Sequence, residues 1–375
     1  MFYILFFIVL MYIILIISLI IGFDSIPLFK TVTAKNNNGF TIIIPFRNEA
    51  NNISELALSL MALNYSKTDY EVLWVNDAST DNSIPLLTEF LIKNAHWKLI
   101  ENNRLSNSPK KDAIQTAIMQ SNYSYIITTD ADCILPINWL NAFNSFINNN
   151  KGVKMIAAPV SYATNVTFLH EFQRIDFLSL IGTTIGSFGL NKPFMCNGAN
   201  LCYSKKAFFE VEGFDNNNNI ASGDDVFLLE KINNRYPNQV KYLKSKLALV
   251  ITKPVNSFKS LTQQRIRWAS KSVATKSVFG KLVGIIVLLM NLLVVFSCFV
   301  IKNWQIDINH SYLLLAFISK ITIDYILINK TVQFTNQKMS LKYYLFSSLL
   351  YPFFVTHVVI KSLITKVYWK GRVFD

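Results

Sequence analysis

Charged side chains are scarce: Asp, Glu, Lys and Arg make up 16% of the 375 residues, against roughly 25% in an ordinary soluble domain. Hydrophobic residues reach 51%, with 29 phenylalanines, which points to contact with lipid. Cysteine is also sparse. Cys133, Cys196, Cys202 and Cys298 form no C-x-x-C pair, so neither structural zinc nor a disulfide framework is expected. The globular part is read as facing a reducing compartment. The four histidines, His96, His170, His310 and His357, show no ligand spacing, and neither a G-x-S-x-G turn nor a Walker element occurs; hydrolase and ATPase readings lack support. Zinc-finger and RNP motifs are missing too. With its basic residues scattered, the net charge of +13 is assigned to an anionic membrane surface or phosphorylated ligands, with no nucleic-acid partner.

What is present begins with an uncharged apolar run from Phe2 to Ile21, about the 20 residues that cross a bilayer as a helix. A cleaved signal peptide is the competing reading. It lacks a basic n-region and an A-x-A-like site, so residues 1–23 are expected to be an anchor. Residues 281–302 form a second span, an uncharged apolar run enclosed by Lys281 and Lys302, with 311–329 a weaker third and 343–361, interrupted by Pro352, a last one. Lys320 and Asp324 weaken the third, yet their i,i+4 spacing puts both on one helix face where they can pair away from lipid. Four spans would leave the tail outside. Its Lys361, Lys366, Lys370 and Arg372 belong inside by the positive-inside rule, so one of the last two segments is expected to be re-entrant or interfacial.

Between the first two spans lies one domain, 39–270. Apolar β-branched runs end in polar or acidic residues at Pro45 to Glu49, Asn76–Asp77 and Asp130–Asp132, and helix-like stretches cover Ile53 to Leu63, Ile84 to Asn94 and Asp112 to Met119. Alternating strands and helices imply a parallel α/β sheet, whose ligands gather at the carboxyl ends of its strands. "MIAAPVSY" reads as one further strand, and Asn148 to Asn150 and Asn216 to Asn219 as loop tips.

Asp130 and Asp132 form a D-x-D pair at a strand end. Hard carboxylate oxygens suit Mg²⁺ or Mn²⁺, cations that keep phosphate and water among their ligands. Alone the pair is also consistent with turn or cap residues. Its companions are "IIIPFRNEANNI", "VNDASTDNS", "SPKKDAI", "CNGANLCYSKKAFFEVEGFD", "SGDDVFLLEKI" and "QQRIRW". In this order they resemble the inverting family 2 glycosyltransferases over roughly residues 40 to 270. Asn76 stands where the family has its first acidic residue, and Pro109 where it has a glycine.

The resemblance implies a GT-A, Rossmann-like α/β domain carried on N- and C-terminal transmembrane helices, multi-pass in the cell membrane with the domain cytoplasmic. It puts Pro45, Asn48, Glu49, Asp77, Lys110, Asp130 and Arg267 at the donor, Asp130 and Asp132 at the metal, and Asp225 at the catalytic base with Asp224 beside it. Gln264, Trp268, Asn197 and Gly198 fall on the acceptor or exit side. Several positions keep a second reading: Glu49 as a first-turn helix acid, Lys110 against the adjacent Lys111, and Arg267 with Trp268 as interfacial anchors. The function implied is transfer of a sugar from a nucleotide-sugar donor, by family precedent a UDP-sugar, to a lipid-linked or glycan acceptor. A processive polysaccharide synthase and an inactive membrane scaffold are the alternatives. Sugar, base and acceptor depend on pocket shape and are not legible in sequence.

Overall fold

The computed structural model describes every residue except Met1, 31–36, 164–166, 218–219, Ala221, 301–307, Lys366, 370–371 and Asp375. An N-terminal helix, α1 (Phe2–Ser25), precedes the α/β unit, which opens with β1 (Phe40–Phe46), α2 (Ala50–Met61), β2 (Tyr70–Asn76), α3 (Ser83–Leu91), β3 (Trp97–Glu101), α4 (Pro109–Gln120) and β4 (Tyr125–Thr128). There follow β5 (Cys133–Ile134), α5 (Trp139–Asn149), β6 (Met155–Ala157), β7 (Val160–Tyr162), α6 (Phe168–Gly189), β8 (Leu201–Ser204), α7 (Lys205–Glu210), α8 (Asp224–Arg235), β9 (Val240–Tyr242), β10 (Val250–Thr252) and α9 (Phe258–Ala274). Three long helices, α10 (Val278–Val300), α11 (Ile308–Thr335) and α12 (Leu341–Ile364), lead to a hairpin of β11 (Val367–Trp369) and β12 (Arg372–Phe374).

The main sheet has the order β3-β2-β1-β4-β8-β6-β9. Strands β1 to β4 are parallel, as their alternation with helices predicts, but β8 runs antiparallel to both β4 and β6. The sheet is therefore mixed rather than wholly parallel. Strands β1 and β2 are buried on both faces, which suits their β-branched and aromatic runs. Pro45 is tolerated in central β1 because pairing with β4 stops at Ile43, so its missing N–H breaks no ladder bond there. The stretch read as one strand at "MIAAPVSY" is two, β6 and β7, in different sheets, with Pro159 between them. Asn148 and Asn149 complete α5 rather than forming a loop tip, and 218–219 of the second Asn run lie outside the described residues.

Helix α1 is tied to the unit at its carboxyl end. Lys244 Nζ donates to the carbonyls of Phe23 (2.6 Å) and Ile26 (2.9 Å), an ammonium on carbonyls that the helix leaves unpaired. Just before this end α1 crosses α6 backbone to backbone: a Cβ on Gly186 would lie 2.4 Å from the Leu19 carbonyl oxygen, and one on Gly189 1.8 Å from that of Gly22. Helix α11 lies beside α1 in the same direction. Tyr12 donates to Asp324 (2.6 Å) and Phe23 meets Phe334 edge-on at 6.5 Å.

Three helices among the described residues are long and apolar enough to cross a membrane: Tyr3–Ser25, Val278–Cys298 and Leu341–Ile364. The expected span 311–329 lies inside α11 but falls short on apolarity, because Lys320, Asp324 and Lys330 dilute it. At 1.5 Å per residue the 28 residues of α11 still extend about 42 Å. The Lys320–Asp324 pair closes at 2.7 Å, as its spacing predicts. Helix α12 behaves otherwise. Tyr344 donates to the Ile321 carbonyl and Tyr351 lies 5.7 Å from Lys320 Nζ, so residues seven apart meet one stretch of α11 and the two helices cross. It also packs along α10 and on the unit, where Phe354 meets Phe172 at 5.3 Å and Phe258 at 5.7 Å. Both flanks of α12 also return there, Lys338 O to Arg174 (2.8 Å) and Arg372 to Asp77 (2.7 Å).

Gly186→Val should therefore force α1 off α6, at a cost of about 2 kcal/mol. A lowered melting temperature of the full chain in detergent is the expected reading; an unchanged one would mean that the close crossing does not hold the helix.

Candidate active site

The carboxyl ends of β1, β2 and β4 converge on one edge of the sheet, which places Glu49, Asp77, Asp130 and Asp132 together. Because β8 is antiparallel, its amino end meets the same edge. The Thr128 hydroxyl donates to the Gly198 carbonyl at 2.7 Å, and Asn197 accepts from the Ala199 N–H at 2.9 Å, shaping a turn that brings Asn197 and Gly198 opposite the aspartates. Asp224 and Asp225 open α8, where the first turn favours negative charge. A single cavity of about 990 Å³ is lined by Pro45, Glu49, Asp77, Lys110, Asp130, Asp132, Asn197, Gly198, Asp224, Asp225, Gln264, Arg267 and Trp268. Asn48 alone of the expected residues does not line it. With φ at +53°, its side chain turns to the neighbouring loop and accepts from the Thr80 N–H at 2.8 Å.

Lys110 links the two halves of the site. Its Nζ lies 2.7 Å from Asp130 and 3.3 Å from Asp224. Burial alone would lower its pKa, but Asp130 first and Asp224 next raise it, so it is a fixed cation. Lys111 is not a rival. It donates to the carbonyls of Asn217 (2.7 Å) and Ile220 (2.9 Å) beneath α8. Pro109 occupies the first turn of α4, where a missing N–H costs nothing. Asp112 organises the loop before it by accepting from the N–H groups of Leu105 (3.1 Å) and Ser106 (2.9 Å).

The environment of Asp225 decides what it can do. One oxygen accepts from the Val226 N–H at 2.8 Å and lies 3.3 Å from Lys271 Nζ; the other accepts from the Gly198 N–H at 3.2 Å. Burial pushes its pKa up, but Lys271, Lys110 and the Val226 N–H outweigh burial and hold it below the ordinary value. The carboxylate is thus ionised at neutral pH. Gly198 is required beside it, since a Cβ there would come within 2.8 Å of Asp224 Oδ2.

One helix, α9, supplies the cationic wall. Gln264, Arg267 and Trp268 share a face as predicted, and Lys271 continues it at i+7. Burial lowers the Arg267 pKa, while Asp130, Asp224, Asp225 and Asp132 act in the opposite sense, which sets this guanidinium among all four carboxylates. Trp268 is stacked from both directions, by Phe177 at 5.9 Å and by the Arg265 guanidinium at 4.1 Å. Arg265 is itself fixed by Asp176 at 2.7 Å.

Sequence reasoning missed Lys271, although its spacing from Arg267 was available, and it missed the cations around Asp77. Arg104 lies 2.6 Å from Asp77 Oδ1 and Arg372 2.7 Å from Oδ2, while Arg47 donates to its carbonyl at 2.8 Å. Asn102 adds a hydrogen bond of 2.8 Å. Asn76, which replaces an expected acid, accepts from the Ser79 N–H at 3.0 Å and donates to Glu101, so it shapes the loop.

A sheet whose direction switches at β8, with acidic residues gathered at that edge, is the arrangement of the GT-A fold. A mannosyltransferase from Pyrobaculum calidifontis, in complex with GDP-Man and Mn2+, shares this fold with a TM-score of 0.55 over 94% of this chain and 99% of that one, at 16% identity. Residues 41–211 match the family model for Glycosyl transferase family 2. Among curated proteins, the poly-beta-1,6-N-acetyl-D-glucosamine synthase of Staphylococcus epidermidis is 23% identical over 236 residues, 62% of this chain and 54% of that protein. That of Staphylococcus aureus (strain MSSA476) is 24% identical over 238 residues, with the same coverage. The chain thus spans about half the length of the curated relatives it matches.

Removing Lys271 leaves burial less opposed at Asp225. A step that needs the ionised carboxylate is lost as pH falls through its pKa, so for the parent the acid limb due to Asp225 should lie below the ordinary carboxylate range. Lys271→Met should raise that limb by about one pH unit or more. A pH–rate profile with an unmoved limb would contradict the pairing.

Proposed function

We propose that the chain transfers a sugar, with inversion at the anomeric carbon, from a nucleotide-diphospho-sugar to a hydroxyl of an acceptor at the membrane, with Asp225 as general base. The observation that carries this reading is the single cavity in which an ionised, buried Asp225 faces the D-x-D carboxylates across Lys110. A UDP-sugar is the donor by family precedent. Pro45, Glu49 and Asp77 line the nucleoside end, and Lys110 and Arg267 offer cations to the diphosphate. Asn197, Gly198, Gln264 and Trp268 border the acceptor. Asn48 acts at one remove by shaping the loop after Asp77.

Among the described residues no three His, Cys, Asp or Glu side chains cluster as a metal cage. Asp130 and Asp132 therefore fit a divalent cation that takes its other ligands from phosphate and water, as Mg²⁺ or Mn²⁺ does. Asp130 is 38% exposed and so open to such a ligand. When bound, the ion would neutralise charge on the departing diphosphate. The Mn2+ in the mannosyltransferase complex supports a divalent cofactor. In the transfer itself, Asp225 takes the acceptor proton as the oxygen attacks, and Arg267 and Lys110 balance charge on the leaving group. The relatives' names favour a second reading, elongation of a polysaccharide.

We also propose that α1, α10 and α11 cross the bilayer while α12 lies along the interface, since both flanks of α12 contact the α/β unit. The tail then shares a side with the catalytic unit, and its basic residues make that side cytoplasmic.

Asp225→Asn should cut turnover by about 10² to 10⁴ and leave the donor dissociation constant within a few-fold, whereas Asp77→Asn should weaken donor binding. Calorimetry beside turnover decides: an active Asp225→Asn protein rejects this base and moves the role to Asp224. Excess chelator should stop transfer and Mg²⁺ or Mn²⁺ restore it, and full activity in chelator would reject the metal. For topology, a reporter fused after Asp375 should be accessible from the cytoplasm; protection there would reject an interfacial α12.

A further inference from the structure

The cavity does not end at the sheet edge. Beyond Asp225 and Trp268 it runs between the long helices, where Val283, Leu288, Leu327, Ile328, Val355 and Val358 line it. A nucleotide-sugar has no use for these walls, because burying phosphates and hydroxyls against side chains without hydrogen-bonding groups is unfavourable. A polysaccharide is less well served too: each sugar unit carries several hydroxyls, and along these six side chains they would lose water without gaining partners, with only scattered hydroxyls such as Ser347, Ser348 and Ser362 elsewhere in the lining.

Between the catalytic end and the apolar end sits a polar cluster that the transfer reaction does not use. Lys320, 4% exposed, lies 2.7 Å from Asp324, which also accepts from the Tyr12 hydroxyl at 2.6 Å. Its ammonium lies 5.6 Å from the Tyr12 ring and 5.7 Å from that of Tyr351. All four side chains line the same cavity. Ionisable groups inside a helix bundle are costly and mark functional paths. An ammonium has three donors, and a ligand oxygen in the cavity is a ready acceptor for one of them.

We propose that the acceptor is an amphiphilic membrane lipid bearing a free hydroxyl. Its chain lies between α10, α11 and α12, its polar linkage passes Lys320 and Tyr351, and its hydroxyl reaches Asp225. This rests on the transfer reading and names its acceptor. The balance is simple. The bond from the anomeric carbon to the diphosphate oxygen breaks, a bond to the lipid oxygen forms, the hydroxyl proton passes to Asp225, and nucleoside diphosphate leaves. A base is needed because the nucleophile is a neutral hydroxyl.

The test reconstitutes the full chain in phosphatidylcholine vesicles containing diacylglycerol, ceramide or a polyprenol, with a panel of radiolabelled nucleotide-sugars. Label is followed into organic-soluble and water-soluble product, and the donor dissociation constant is measured in parallel. Organic-soluble product with one of these lipids is expected, and Ile328→Trp and Leu288→Trp, which fill the apolar branch, should each lower it at least tenfold with donor affinity within two-fold. To separate blocked binding from poor folding of a variant, a photoreactive form of the active lipid should also label peptides containing Val283–Leu288 or Leu327–Ile328 in the parent protein. Water-soluble polymer as the product, full transfer by variants that fill the branch, or labelling elsewhere would overturn the lipid assignment while leaving sugar transfer intact. A parent protein that binds no nucleotide-sugar would overturn both.

Discussion

The contact on which the site depends is the double ion pair of Lys110 with Asp130 and Asp224. Four carboxylates drawn to one sheet edge repel one another. Lys110 from α4, with Arg267 and Lys271 from α9, supplies the opposing charge. The arrangement has a chemical consequence. On the proposed mechanism, the cation that holds Asp130 on the donor side also holds Asp224 beside the base, so the two halves of the reaction would share one electrostatic framework, already arranged for the charge that moves from acceptor oxygen to leaving diphosphate.

The long helices are built onto that framework. Helix α6 is the common support: α1 crosses it at Gly186 and Gly189, α11 at Gly182, and α12 through Phe172. From the same helix Asp176 fixes Arg265, which stacks on Trp268. On the proposed topology, this chain of contacts would link the bilayer-spanning helices to the Trp268 wall of the cavity.

Strand ends were the legible part of the sequence. The β-branched run of β1 and the acids after β2 and β4 announced both the sheet and its ligand edge, because strand burial and the end of a strand leave local signatures. Long-range pairing leaves none, so the reversal at β8 and the break at Pro159 did not show. Lys271 was readable in principle at i+7 from Gln264, but surface lysines are common and nothing marked this one. Arg372 was out of reach: it lies 295 positions from Asp77 and arrives by way of α12. Apolarity ranks α12 above α11 as a span, and local composition limits that ranking. It counts charges without knowing that Lys320 and Asp324 pair inside, and it cannot tell where a helix's ends are attached.

If Lys110 is the hinge of this electrostatic arrangement, its loss should differ in kind from the loss of either carboxylate alone. The direct measurement is donor binding by calorimetry for Lys110→Met, with circular dichroism to establish that the protein is folded. The account predicts donor affinity reduced at least tenfold in a folded protein. Donor affinity within two-fold of the parent would contradict it and reduce Lys110 to a local partner of Asp130.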